Sequence, residues 1–334
     1  MRNFTDSEKE LWLSDYSQKT YTAVIDGEEY DEDYLNTESL KITEILEDGE
    51  QLNFIGCKSR KLEINILDTE TEFVNKSIVI KAKASLGDDE TSEAVLFRGV
   101  IAEVKQKSQA DIMVTVTAYD HMATVIQMDV ASWYNALTFP MTLAQFRKAL
   151  PNSMNVKDEV LPFDDVTLQK TIEPDILPAK DVLGAIASLN GMYCTCNTDG
   201  QIAFMAVKKY VSTSVHPADD LYPANNLYPN NPSTNAEHIP ETEYLKAEYE
   251  DYIVETIDKV QIRSEENDIG AIYGTGSNAY ILQGNFLLYG KGTTELTSIA
   301  QRLLSLVEGI LYSPAKIECK GRPWIEVGDL VRIY

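Results

Sequence analysis

Hydrophobic and polar residues alternate with a period of two through most of this chain, and the period lengthens towards 3.6 at a few places. From Ser39 to Ala118 the pattern is that of strands. Leu40–Glu44, Lys61–Asp68, Ser77–Ala82, Leu96–Lys105 and Asp111–Ala118 each alternate, with turn residues between them. Five strands at this spacing, with no long helix among them, predict a small antiparallel barrel or sandwich. Gly99 inside the fourth strand is read as a bulge. Ahead of this unit, Thr5-Asp6-Ser7-Glu8 is a capping-box pattern that predicts a short helix from Asp6 to about Ser17. A strand is expected at Tyr21–Ile25, and the acidic run Glu28–Asp33 reads as a solvated loop.

The helical period appears after residue 120. Asp120 can cap a short helix running through Ile126. Thr142-Leu143-Ala144-Gln145 is a second capping box, continued by Phe146 and Leu150 and stopped by Pro151. Pro178 opens a helix bearing Val182, Leu183, Ile186 and Leu189, with Gly191 at its end. A hairpin follows, Met192–Cys196 and Gln201–Val207 around Asn197–Gly200, so this stretch predicts a small α+β unit. Residues 216–240 are rich in Pro and Asn and read as a linker or ordered loop. Leu221-Tyr222-Pro223 and Leu227-Tyr228-Pro229 are expected to pack there on a neighbour. Strands return at Ala247–Ile253, Asp258–Arg263 and Ala279–Leu282, with Asn285–Leu288 as an exit. From Thr294 to Glu308, Leu296, Ile299, Ala300, Leu303, Leu304 and Val307 form one apolar helical face that Gly309 ends. Lys316–Cys319 reads as a strand, and Ile325–Ile333 as a closing hairpin about Gly328-Asp329.

Composition narrows the function. The 334 residues are 44% hydrophobic, enough for packed cores in two or three domains. No apolar run reaches the roughly 18 residues of a membrane span, and the polar N-terminus lacks the apolar centre of a signal peptide, so a soluble protein made in a cytoplasm is expected. A formal net charge of -24, from 53 acidic and 29 basic residues, argues against gripping nucleic acid but not against a surface that DNA slides past.

Candidate chemistry is sparse. Walker and dinucleotide glycine loops, H-E-x-x-H and the Gly-x-Ser-x-Gly elbow are missing from the sequence. Gly274-Thr275-Gly276 reads as a turn. His121, His216 and His238 lie in separate contexts, and Asp120–His121 reads as a cap followed by a surface residue rather than a catalytic pair. Glu265–Glu266 and Asp88–Glu90 read as solvated loop acids, with Glu326 and Asp329 fixing the last turn. Cys194 and Cys196 share a strand face. With Cys57 and Cys319 remote in sequence, buried thiols are a better reading than a metal site. No catalytic, cofactor or metal residue is assigned.

The order of elements, with Gly99–Val104 leading to Val116–Asp120, Pro178–Leu183 before a hairpin, Asn285–Leu288 before the helix and Ile325–Asp329 at the close, resembles the tail or baseplate hub family of tailed phages and contractile injection systems. The resemblance implies a mainly β fold with an α+β insert. There would be a helix and strand at 1–38, a first β-barrel-like hub domain at 39–131, the insert at 132–215, a linker at 216–240 and a second barrel-like domain at 241–334 carrying the helix 294–308. It further implies a non-enzymatic homotrimeric ring that adapts a sixfold tail tube to a threefold tip. The implied neighbours are the tube or distal tail ring, the tip or spike and the tape-measure protein, with genome DNA passing through the lumen without specific binding. The protein would be a virion component assembled in a bacterial cytoplasm and would not insert in a membrane. Related hubs continue into a cell-wall hydrolase, a part expected to be lacking here. Two other readings are a tail-associated hydrolase or endopeptidase with its site in residues 132–240, and a host-carbohydrate-binding module using Tyr222 and Tyr228.

Overall fold

The computed structural model describes residues 4–46, 52–67, 72–106, 112–209, 236–249, 254–310 and 314–333. An antiparallel sheet of eight strands fills the first third. Its strands are β1 (Gln18–Ile25), β2 (Glu28–Tyr30), β3 (Leu35–Thr43), β4 (Lys61–Leu67), β5 (Ser77–Leu86), β6 (Asp89–Glu90), β7 (Ala94–Gln106) and β8 (Met113–Tyr119), in the order β2-β1-β5-β7-β8-β4-β3 with β6 hung on β5. Alternation makes the sheet one-sided: Leu62, Ile64 and Ile66 of β4 and Ile78 and Ile80 of β5 point inward, and their neighbours point out. Residues 18–38, grouped by sequence with the N-terminal helix, supply β1, β2 and part of β3 to this sheet.

β7 turns the sheet upon itself. Its first half, Ala94–Val100, pairs with β5, and its second half, Val100–Gln106, pairs with β8. The register slips once in each half, leaving Leu96 and Ala102 as the extra residues. Two bulges bend the strand, and the half-sheets face each other across Ile25, Ile64, Ile80, Phe97, Ile101 and Val116. The barrel expected here is not closed. Its end strands, β2 and β3, are not paired to one another. The exposed Glu28 and Glu29 on the three-residue β2, followed by exposed Asp31, Glu32 and Asp33, disfavour added pairing at that edge. Gly99 is not the bulge. A methyl group there would lie 2.2 Å from the Tyr119 carbonyl oxygen, so glycine lets β8 approach.

The helices follow their sequence signals closely. Thr5 and Glu8 close the capping box of α1 (Asp6–Leu13), which ends before Ser17 because the Ser14 carbonyl accepts from Ser17 Oγ and Lys19 Nζ instead of continuing the helix. Asp120 caps α2 (His121–Val125). A short α3 (Ala131–Ala136) precedes α4 (Leu143–Lys148), whose box is Thr142 and Gln145. β9 (Met141–Thr142) pairs with β10 (Thr167–Leu168) beside it. Pro178 precedes α5 (Ala179–Asn190), Gly191 ends it in the left-handed region at φ 60°, and β11 (Tyr193–Cys196) pairs with β12 (Ile202–Met205) as the expected hairpin.

The last third differs from expectation. No second barrel forms among the described residues. β13 (Ala236–Ile239) pairs in parallel with β19 (Leu330–Ile333), and β14 (Tyr244–Tyr249) pairs with β18 (Ala315–Cys319). β15 (Lys259–Arg263) lies between β16 (Ala271–Gly274) and β17 (Ala279–Gln283). Val260, Ile262, Tyr280 and Leu282 do not enclose a core of their own. They join the one built by α5, the β11–β12 hairpin and α6 (Thr293–Val307), whose predicted face buries Ile299, Ala300, Leu303, Leu304 and Val307. Nor is Ile325–Ile333 a hairpin. Trp324 is drawn under Trp12, Ala82 and Ala84, residues 323–329 form turns, and the strand after them takes β13 as partner.

Gly99→Ala forces β7 and β8 apart and is expected to lower unfolding stability by about 1–3 kcal/mol, read as a lower denaturant midpoint with an unchanged slope.

Candidate functional site

Most of the acids and histidines that attract attention in the sequence have structural occupations. Asp120 Oδ1 accepts from Met122 N–H at 3.1 Å and Ser59 Oγ at 2.9 Å, and Oδ2 accepts from Arg60 N–H at 3.1 Å. Burial pushes its pKa up, against the pull of those bonds. His121 Nε2 meets the Ser153 carbonyl at 3.1 Å, so the two neighbours in sequence serve different partners. Asp89 and Glu90 form β6 rather than a loop, with Glu90 ion-paired to Lys83. Gly274 and Gly276 lie in the turn beside Asp258, whose Oδ2 accepts from Ser277 N–H at 3.1 Å. Glu265 and Glu266 are exposed after β15. Asp329 Oδ2 accepts from Glu326 N–H at 2.9 Å and its carboxylate pairs with Lys208, which holds the turn before β19, although the hairpin expected of Glu326 and Asp329 does not form. His238 sits on β13 opposite Arg332. His216, Tyr222 and Tyr228 lie outside the described residues.

The thiols converge more than their spacing suggests. Cys57 N–H donates to the Cys194 carbonyl at 2.8 Å, and Cys194 N–H donates to the Ile55 carbonyl at 3.2 Å. Loop 55–57 thus runs beside β11, a long-range pairing that carries no local signal. Cys57, Cys194 and Cys196 are all buried. Burial first, and then the hydrogen bond with Cys57, pushes the Cys194 thiol far up; burial pushes Cys196 up to about 12. Protonated thiols of this kind are poor ligands and poor nucleophiles. Among the described residues no group of three or more His, Cys, Asp or Glu is placed to hold a metal ion.

What distinguishes the surface is a charged seam and several open strands. Arg322 Nη1 donates to Glu237 Oε1 at 2.6 Å, and Nη2 pairs with Glu243. Lys9 of α1 reaches Glu237 at 3.2 Å, and Lys320 reaches Asp15 at 2.6 Å and the Leu13 carbonyl at 3.2 Å. The Arg322 and Lys9 cations both lie over the Trp324 ring. The N-terminal helix is thereby fastened to the closing segment. Glu8 holds its other side. Hydrogen bonds from Ser92 and the Thr5 backbone lower its pKa to about 2.

Two apolar surfaces lack a cover among the described residues. On the outer face of the β16-β15-β17 sheet, Ile272 and Ile281 flank Gln261, and Ile269 is 74% exposed beside them. On the β14–β18 ribbon, Ala247 pairs with Ile317 and Tyr249 with Ala315, while Lys246–Glu318 and Glu248–Lys316 make the opposite face charged. Two strands alone are marginally stable in water. An amphipathic ribbon with Tyr249 57% exposed therefore suits burial against another surface.

Two outcomes follow. Arg322→Ala leaves Glu237 and Glu243 without their shared cation; it is expected to cost about 3–5 kcal/mol and to release α1, read as faster proteolysis near Leu13. In native protein, an alkylating reagent at mildly alkaline pH is expected to label Cys319 first and to spare Cys57, Cys194 and Cys196 until denaturant is added, checked by peptide mass analysis.

No protein-family model matches the chain, and no curated protein matches it. Solved structures do. The 43 kDa tail protein of prophage MuSo2 from Shewanella oneidensis aligns over 94% of this chain and 88% of its own, at 11% identity and a TM-score of 0.52. A tail protein from Neisseria meningitidis MC58 aligns over 85% of this chain and 75% of its own, at 11% identity and 0.43. Prophage tail protein gp18 from Listeria monocytogenes EGD-e aligns over 85% and 76%, at 9% identity and 0.45. Of these three, the MuSo2 protein superposes closely enough to define a fold in common. Over nearly its whole length this chain has the fold of a phage tail protein.

Proposed function

We propose that this chain is a structural, non-enzymatic component of the tail of a phage or phage-like particle: a hub that assembles as a homotrimeric ring between tail tube and tip. The observation that carries this reading is the likeness of fold to a prophage tail protein across 94% of the chain. The open strands support it. Strand edges and an amphipathic ribbon that do not complete a barrel within one chain can be completed by the next copy. Repeated head-to-tail contacts of this kind close into a ring when the rotation between copies allows.

In this proposal the folded sheet of residues 18–119 and the smaller sheets of 236–333 are the ring-forming units, and the helix–hairpin unit of 132–209 is the insert. Its neighbours are the tube or distal tail ring on one side and the tip or spike and tape-measure protein on the other. The net charge of -24 suits a lumen past which DNA slides, because a wall with few free cations offers phosphates no grip.

Light scattering on the purified chain, with negative-stain imaging of the same peak, is expected to give about three times the 37.4 kDa chain mass and rings with a central hole. A single-chain mass at every concentration, with no ring when tail tube protein is added, would overturn the trimeric hub. Clearing of purified cell wall in a zymogram by this chain alone would overturn the non-enzymatic part separately.

A further inference from the structure

A cleft of about 280 Å³ opens beside the end of α4, between Lys148 and the segment 155–158. Its lining is polar. Arg147 and Lys148 come from α4, Asn152 from the single 3-10 turn that follows, and Lys157 and Asp158 from the stretch leading back towards β12.

Arg147 gives the cleft its chemistry. It is 7% exposed, yet not all of its donors are used. Nε donates to Asp164 Oδ1 at 2.9 Å, and Nη2 donates to Asp164 Oδ2 at 2.8 Å and to the Glu159 carbonyl. Nη1 makes no hydrogen bond among the described residues and is not sealed from solvent by them. A guanidinium clamped at two nitrogens by a carboxylate cannot swing away. Arg147, a lining residue of the cleft, is therefore held in advance with donor capacity to spare.

Lys148 has no ion-pair or hydrogen-bond partner among the described residues, and Lys157 Nζ is held by a long ion pair with Glu159 at 3.7 Å, which leaves its donors free of short hydrogen bonds among those residues. No aromatic side chain lines the space, so a neutral sugar has no ring to stack on. A held arginine side chain with the exposed Lys148 and Lys157 ammonium groups beside it suits a compact oxyanion with several acceptor oxygens. Asp158 faces the same space and can accept from hydroxyl groups next to that oxyanion.

We propose that this cleft binds a phosphate group, either free or carried on a polyol. The site does not depend on the assembly proposed above.

Titration calorimetry on the full chain with inorganic phosphate, glycerol 3-phosphate and glucose tests it. Saturable binding of the two phosphates and none of glucose is expected. Lys148 and Lys157 are surface residues, so K148A/K157A should fold normally, shown by an unchanged melting curve, and weaken phosphate binding at least tenfold. Tighter binding of glycerol 3-phosphate, lost in Asp158→Asn, assigns the polyol phosphate; equal affinities assign free phosphate. No saturable binding of either phosphate, equal binding of glucose, or a double variant that binds as well as the parent overturns the proposal.

Discussion

The molecule is organised by the need to cover α5. This helix buries ten of its twelve residues, all but Lys180 and Asp181, and a helix apolar all round must be enclosed all round. Its polar groups are met as it is enclosed. Tyr280 and Asn285 donate to the carbonyls of Ser188 and Ala185, while Asn190 accepts from Phe163 N–H and donates to the Ile186 carbonyl. Close approach is built in at two glycines. Gly184 lets Ile55 reach the helix, and a side chain at Gly191 would strike Val307 of α6. The loop before β4, the β11–β12 hairpin, β15, β17 and α6 are thus all walls of one chamber. That is why the later strands lose the independence their spacing suggests.

Local signals in the sequence translated well. Both capping boxes, the Pro178–Gly191 limits of α5, the turn at Asn197–Gly200 and the apolar stripe of α6 depend on residues within one or two turns of each other. Long-range geometry did not. The alternation along β7 is equally compatible with a flat strand, and nothing in it marks Leu96 and Ala102 as the positions where the sheet bends. The Gly328-Asp329 turn was legible, but the partner of the strand beyond it is β13, not the residues just before the turn. Even α5 was half legible. Val182, Leu183, Ile186 and Leu189 announce a buried face, whereas Gly184, Ala185 and Ala187 are small enough to suit either surface or core.

The same division holds for the surfaces. Arg147, Lys9 and Arg322 carry no motif, because their partners are chosen by tertiary approach: Asp164 across a loop, and Glu237 from a distant strand for both of the others. Conversely, of the acids and histidines that sequence does highlight, Asp120 caps a helix, Asp329 tightens a turn, Glu90 pairs with Lys83 and His121 meets a backbone carbonyl. Polar side chains consumed in this way are unavailable for chemistry, while the β16-β15-β17 face and the β14–β18 ribbon keep apolar side chains exposed among the described residues.

The small core made by Trp12, Ala82, Ala84 and Trp324 has a consequence for synthesis. A ribosome delivers α1 and β5 long before it delivers Trp324, Arg322 and Lys320. Until those residues emerge, Trp12, Ala82 and Ala84 lack the Trp324 ring and Lys9 has no Glu237–Arg322 pair to join. Contacts of such long sequence separation form late. The packing of α1 is therefore completed late, and until then this small apolar cluster stays partly open to chaperones and proteases. The seam thus makes two segments that are far apart in sequence depend on each other for their packing and for their ion pairs.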